Sequence, residues 1–463
     1  MGVAGLSLTG INNALAMPMS SKEWASAKSE KLKIAYIGIG NRGEQNISEF
    51  AKTGLVDVVA LCDVDMGAPH TQKVMNMYPG AARFKDFREL FEKYSTHFDA
   101  VCASVPDHIH FPIAMMAMKY GKHIYVEKPM CRTFHEGELM IEMAKKHPEI
   151  VTQVGNQGHS EANYFQFKSW LDAGIIKDVT AVTAHMNNGR RWHSYDVNMP
   201  HMPGGEPIPE TMDWDKWLGA RPWQGYSAQY DLGNWRSWYK FGMGALGDWG
   251  AHILDTVHEF LKLGLPYEIT MKRASGHNDY FYPMSSTILF RFAARKKMPP
   301  CDVTWYDGID NLPPLPANYG KSVATANVPA SSQNTAESSL SPGKIIYAKD
   351  LTFKGGSHGS TLSILPSEKA MEIQKKLPEV PKSPSNHYVN FIHACQGTEK
   401  TRSPFEINGV LSEVFCLGVI AQRLNAQLFF DTRLKQFTNN DFANALLVGE
   451  PPRRGWEEFY KID

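Results

Sequence analysis

The feature that most constrains this chain is a short apolar run, Lys33 to Ile37, that ends in Gly38-Ile-Gly40-Asn-Arg-Gly43 and leads into a helical stretch. A second apolar run, Val56 to Cys62, closes on Asp63. Strand, glycine turn, helix and strand form the βαβ unit, whose parallel strands need a crossover helix. The pattern repeats through Ala100–Val105, His123–Val126 and Ile150–Val154, with helical stretches through Ala114–Met118 and Glu136–Lys145 between them. Strands this uniformly apolar belong in a parallel sheet covered on both faces. Residues 31–155 are therefore expected to form one doubly wound α/β domain.

Glycines at these positions allow a tight turn and a close approach of backbone to a pyrophosphate, which then sits at the positive end of the first helix. Gly38, Gly40, Asn41, Arg42 and Gly43 are thus candidate cofactor-binding residues. Asp63, 20 residues after Gly43, is placed to accept hydrogen bonds from ribose hydroxyls. Its charge repels a 2′-phosphate, so NAD is favoured over NADP, with Arg42 able to soften that preference. Pro106 and His110 follow the strand ending at Val105 and lie at the carboxyl edge of the sheet, where ligands bind in such folds. They join the cofactor candidates, although His110 before a helix also reads as helix-start chemistry.

After Gly174 the chain changes character. Longer alternating runs, Asp178–His185, Ser285–Phe292 and Cys301–Trp305, predict an open, mostly antiparallel sheet in an α+β domain spanning 156–440. Residues 311–342, rich in Pro, Ser, Asn and Ala, read as a loop insertion. Two apolar-periodic helices, Asn386–Ala394 and Glu406–Ala426, follow, and 441–463 reads as a C-terminal tail. Residues 1–30 read as a signal remnant or tail. Within them, Ala14-Leu15-Ala16 resembles a signal-peptidase site without the basic region that precedes one, which implies export, to the periplasm, or a cytoplasmic protein if the segment is not a signal.

Forty-eight basic residues balance 48 acidic ones, which removes the electrostatic motive for binding nucleic acid or an anionic membrane surface. No apolar run approaches the roughly 20 residues of a membrane span. The six cysteines form no CxxC pair, and no disulfide framework is expected. Eleven tryptophans stand in the chain, seven of them (Trp192, Trp214, Trp217, Trp223, Trp235, Trp238 and Trp249) between 192 and 249. Aromatic faces pack against the apolar faces of sugar rings, although each such Trp is also good core. From this stretch Trp192, His193 and Arg236 are the candidate substrate contacts, joined by Asn156 and Gln157 beyond the strand ending at Val154.

Glu127-Lys128-Pro129 ends a strand at the same sheet edge, where a partly desolvated Lys can share proton transfer with a substrate hydroxyl. An ion pair of Glu127 with a neighbouring cation explains the same residues. Farther on, Asp248, His252 and Asp255 are spaced i, i+4 and i+7, one face of a helix. With His258 they also suit a metal, but no third or fourth ligand announces itself elsewhere and no metal is expected.

Glycine turn, E-K-P and D-x-x-x-H-x-x-D, in that order, resemble the glucose–fructose oxidoreductase, inositol dehydrogenase and rhizopine-catabolism family (Gfo/Idh/MocA). The resemblance extends over about 31–430, and Asp213–Gly219 with Trp235-Arg236 is similar to an exported, bacteroidete-like branch. The resemblance implies a Rossmann domain followed by a domain with a large open sheet. It implies Lys128, Asp248 and His252 as catalytic residues, with Asp248 and His252 also contacting substrate and Glu127 and Lys128 near the cofactor. A homodimer or homotetramer is expected, because a one-faced sheet needs a cover.

The activity expected is hydride transfer between a secondary hydroxyl of a neutral sugar or glycoside, C3 being one candidate, and tightly bound NAD. An NAD-dependent glycosidase that oxidises C3 transiently and eliminates the aglycone would use the same residues. A non-catalytic nucleotide- or carbohydrate-binding protein is the third reading, against which the intact acid–base set argues.

Overall fold

The computed structural model describes residues 31–189, 193–231, 233–316, 319 and 340–462. The N-terminal segment, Trp192 and most of the 311–342 insertion therefore lie outside the described residues. The first domain alternates β1 (Leu32–Ile37), α1 (Arg42–Lys52), β2 (Val56–Cys62), α2 (Pro69–Met77), β3 (Ala82–Phe84), α3 (Phe87–Tyr94), β4 (Ala100–Ala103), α4 (His110–Lys119), β5 (His123–Val126), α5 (Phe134–Lys146) and β6 (Thr152–Val154). Its six parallel strands lie in the order β3-β2-β1-β4-β5-β6, the Rossmann order with its switch point between β1 and β4. Register matters for function: Ile37 pairs with both Cys62 and Ala103, Ala103 with Val126, and Val126 with Val154. The last residues of five strands therefore align, and whatever follows each of them meets at one edge.

The second domain adds α6 (Ala162–Asp172), β7 (Val179–Met186), α7 (Trp214–Leu218), α8 (Gly244–Ile253), α9 (Asp255–Phe260), β8 (Glu268–Ser275), β9 (Ser285–Phe292), β10 (Cys301–Asp307), β11 (Gly343–Ala348), β12 (Thr352–Gly356), β13 (Ser363–Leu365) and α10 (Ser367–Ile373). Then come α11 (His387–Cys395), α12 (Phe405–Leu424), β14 (Gln427–Asp431), β15 (Gln436–Phe437) and α13 (Asp441–Val448). The nine strands run β13-β12-β11-β7-β10-β9-β8-β14-β15, antiparallel except where β7 pairs with β10. This is the expected mostly antiparallel sheet.

Three expectations need correction. Residues 441–462 are no loose tail: α13 packs on α12, and Trp456 and Phe459 are buried against Phe87 of the first domain. Helix α11 also returns to that domain, where Phe391 and Tyr388 meet Phe50 and Tyr125. Finally, α12 is long and apolar enough to cross a membrane, yet 83% of its apolar window is buried in the protein, where it packs on α5 and α8. All six cysteines are buried thiols.

Candidate active site

A cavity of about 960 Å³ opens along the aligned strand ends, between the two domains. That is the upper part of the roughly 300–1,000 Å³ range of small-molecule sites. The glycine turn forms its floor. Gly38 has φ +77°, and a Cβ there would lie 2.4 Å from the Ser104 carbonyl oxygen; at Gly43 a Cβ would lie 2.0 Å from the Gly38 oxygen. Helix α1 carries no side-chain cap among the described residues; its Gly43 N–H turns back to the Gly40 carbonyl at 2.8 Å, and the positive end of the helix dipole faces the cavity floor, where an anion is stabilised. Asp63 accepts from the Ile39 and Asp65 N–H groups, each at 3.0 Å, which fixes its carboxylate at the cavity wall. Burial raises its pKa, with those N–H groups opposing. These residues fit the adenosine and pyrophosphate of a dinucleotide.

Arg42 does not turn toward Asp63. Its Nε donates to Glu127 at 2.9 Å and its remaining nitrogens to Gln45 and Tyr388. Glu127 also accepts from Asn46 at 2.9 Å. Burial works against the Glu127 charge, but Arg42 and Lys128 overcome it and hold its pKa below the usual range. Glu127 thus ties the glycine helix to the strand that presents Lys128.

Lys128 projects from the end of β5. Its Nζ donates to Asp248 Oδ1 at 2.6 Å and to the Asp248 main-chain oxygen at 3.0 Å. Asp248 and His252 lie one turn apart on α8, so they share a face. Asp107, from the segment after β4, accepts from the Met243 N–H at 3.0 Å and so anchors the start of that helix to the first domain. Burial pushes the Asp107 carboxyl up to about 7, against the pull of Arg236 and Lys128. Arg236 lies over the Trp235 ring, 4.1 Å from its centroid, with Nε 3.6 Å from Asp248 Oδ1. Burial first, and the charge of Lys128 second, hold the His252 pKa well below 6.5, so the ring is neutral. Its Nδ1 is buried without a partner, leaving Nε2 for the cavity.

Gly38, Gly40, Asn41, Arg42, Asp63, Pro106, Glu127, Lys128, Gln157, Arg236, Asp248 and His252 all line the cavity. Others do not. His110 is 1% exposed, bonded through Nδ1 to the Pro129 carbonyl, and burial pushes its pKa down to about 4, so it supports the E-K-P turn from beneath. Asn156 is buried and donates to Asn408 of α12. His193 is exposed, beside Tyr195, away from the cavity walls. Helix α8 ends at Ile253, which separates Asp255 and His258 from the face that carries Asp248 and His252: Asp255 lies 3.6 Å from the buried His159, and His258 meets the Gly264 carbonyl.

The tryptophan cluster is mainly a third core. Trp214, Trp217, Trp235 and Trp238 pack with Tyr226, Tyr230, Phe241 and Phe281, with Trp214 and Trp217 stacked at 4.5 Å. Of the six that fall among the described residues, Trp217 and Trp235 reach the cavity, and Trp223 is exposed. The cavity lining includes residues that the sequence pattern does not single out, among them Asp86, His70 and His358. Asp86 and His70, after β3 and β2, were findable from the strand-end rule; His358, in the loop between β12 and β13, was not. Its ring stacks on that of His252, with centroids 4.0 Å apart and planes 16° apart.

Residues 32–155 match the NAD-binding Rossmann domain of the Gfo/Idh/MocA oxidoreductase family, and residues 161–293 match its C-terminal alpha/beta domain. The chain belongs to this family. Among its relatives, an inositol 2-dehydrogenase/D-chiro-inositol 3-dehydrogenase of Lactiplantibacillus plantarum is 27% identical over 42% of this chain and 53% of its own length. An alpha-N-acetylgalactosaminidase of Shewanella oneidensis is 25% identical over 37% and 38%. The chain thus spans about half the length of the first of these relatives and less of the second. The WlbA dehydrogenase of Bordetella pertussis, solved with NADH and UDP-GlcNAcA, shares the fold at 14% identity, with a TM-score of 0.55 over 87% of this chain and 99% of that one.

Proposed function

We propose that this protein is an NAD-dependent oxidoreductase acting on a secondary hydroxyl of a neutral sugar or glycoside, with C3 as one candidate position. The observation that carries the reading is the convergence of Lys128, Asp248 and His252 in the cavity floored by the glycine turn. Bound there, NAD supplies the hydride acceptor. His252, neutral and open to the cavity through Nε2, takes the hydroxyl proton. Lys128 has three N–H donors; two rest on Asp248, and the third is available to the reacting oxygen, where it stabilises developing negative charge. Asp248 keeps the ammonium in place. The Asp63 carboxylate, with Arg42 turned to Glu127, supports NAD over NADP.

The likeness to a glycosidase favours a second reading on the same residues, in which the ketone formed at C3 acidifies the C2–H, the aglycone is eliminated with that proton, water adds at C1 in its place, and the ketone is reduced back by the hydride removed in the first step. One experiment separates them. Protein purified without added nucleotide is assayed for bound NAD(H) and then given neutral aryl glycosides with an artificial electron acceptor. Acceptor reduction without aglycone release is the expected result; aglycone release with no acceptor consumed assigns the glycosidase. Absence of both overturns the reading.

A further inference from the structure

The stacked imidazoles of His252 and His358 come from opposite parts of the second domain, one from helix α8 and one from the loop between β12 and β13. The loop is pinned in place. The His358 N–H donates to the His252 carbonyl at 2.9 Å, and the ring nitrogen Nδ1 lies 3.0 Å from Ser357 Oγ. His358 holds φ +52°, a left-handed conformation that is strained for a residue with a β-carbon. Glycine neighbours permit the approach: a Cβ at Gly158 would lie 3.2 Å from the His358 oxygen, and one at Gly359 would overlap Glu161. Trp249 sets its ring edge-on to His358 at 5.4 Å. With Nδ1 engaged by Ser357, Nε2 of His358 is the nitrogen left for the cavity that the residue lines.

Two parallel rings 4.0 Å apart present two nitrogens side by side. Hydrogen bonds of about 2.8–3.0 Å from such a pair converge on oxygens carried by adjacent carbons. We propose that His358 is a substrate-contacting, specificity-determining residue whose imidazole binds the hydroxyl next to the one that reacts at His252, so that the site selects a vicinal diol. The inference rests on the oxidoreductase reading and adds the substrate class to it. A site built to hydrogen-bond a hydroxyl discriminates strongly against the analogue that lacks it, because its polar group is then left unpaired.

The test crosses enzyme variants with deoxy substrates. Methyl glycosides of glucose, galactose and mannose, each with its 2-deoxy and 4-deoxy counterpart, are assayed with wild type, His358→Ala and His358→Gln, with bound NAD and an artificial acceptor. Wild type is expected to prefer the full diol by at least about 100-fold in kcat/KM over one of the two deoxy forms. His358→Ala is expected to lose most of that preference by slowing the diol alone. An equal loss on diol and deoxy substrate, or no loss on either, overturns the proposal. His358→Gln, which can still hydrogen-bond, is expected to restore part of the preference; failure to do so while His358→Ala is folded and active counts against it. The role given to Lys128 in the oxidoreductase reading fails separately, by hydride transfer surviving in Lys128→Met. Should wild type turn over none of these sugars, ¹⁵N-histidine spectra with the same methyl glycosides decide: a His358 ring resonance shifted by the diol and not by the deoxy form supports the contact, and an unmoved one overturns it.

Discussion

The two walls of the cavity are assembled by different rules. On the Rossmann side, Gly38, Asp63, Pro106 and Lys128 each follow a strand end by one to three residues, and the aligned register of β1, β2, β4 and β5 brings them together. On the other side Arg236, Asp248, His252 and His358 come from a turn, a helix and a distant hairpin loop, positioned by packing and by single hydrogen bonds such as His358 N–H to His252. The first wall is fixed by secondary structure. The second is fixed by tertiary contacts, so it carries the variable chemistry of the fold and is easier to perturb.

The sharpest way to probe that contrast is to remove the group where the walls meet. Lys128→Met is expected to lower the rate of hydride transfer about 1,000-fold or more. NAD affinity, measured by calorimetry, is expected to stay within about threefold, since the glycine turn and Asp63 are untouched. A large loss of NAD binding would show that the two walls are not separable.

Next in size are the tryptophans. Trp238 is fully buried, donates to the Gln229 carbonyl at 3.1 Å and does not line the cavity between the domains, so Trp238→Ala is expected to cost about 3–5 kcal/mol in denaturant unfolding. Trp235 supports Arg236 by a cation–π contact that contributes about 0.5–2 kcal/mol, so Trp235→Ala is expected to raise KM roughly tenfold, beyond its smaller effect on stability. Equal behaviour of the two variants would erase the distinction between core and site.

A smaller effect is expected from pH. In the proposed reaction the neutral form of His252 takes the proton, and burial holds its pKa well below 6.5. Acidification therefore protonates it late, and kcat/KM for oxidation is expected to show no His252 limb near pH 6.5. The smallest effect is expected at Glu413 of α12, which is buried and does not line the cavity. Burial and the neighbouring Glu138 carboxylate hold its pKa well above the usual carboxylate range, so it is protonated at neutral pH. The folded state keeps a proton that the unfolded chain releases, so this group's contribution falls as pH rises through and above the ordinary carboxylate range. Glu413→Gln is expected to leave Tm near pH 5 almost unchanged and to flatten its decline toward pH 8.

The same contrast explains what the sequence made legible. The glycine turn, Asp63 and Lys128 could be located because a strand followed by a turn is a local pattern, and Asp248 with His252 because helical spacing is local too. His110 and Asn156 also follow the strand-end rule, yet their side chains turn inward, to Pro129 and Asn408, and spacing does not report that direction. His358 carries no local signal at all; only the pairing of β11 with β7 and of β12 with β11 and β13 brings its loop to α8. The tryptophan excess was visible, but composition does not separate a small aromatic core from a binding wall.

Trp456 has a consequence for how the protein is made. It stands in the cavity wall, covered by the Arg88 guanidinium at 4.5 Å and packed on Phe87, beside residues that follow β3. Helix α11 completes the opposite face of the same sheet. A chain emerging from the ribosome can therefore pair its first six strands early, but the nucleotide pocket gains its last wall some 300 residues later. Capture of the dinucleotide becomes one of the final events of synthesis, and a released fragment ending near residue 155 should be unable to hold it.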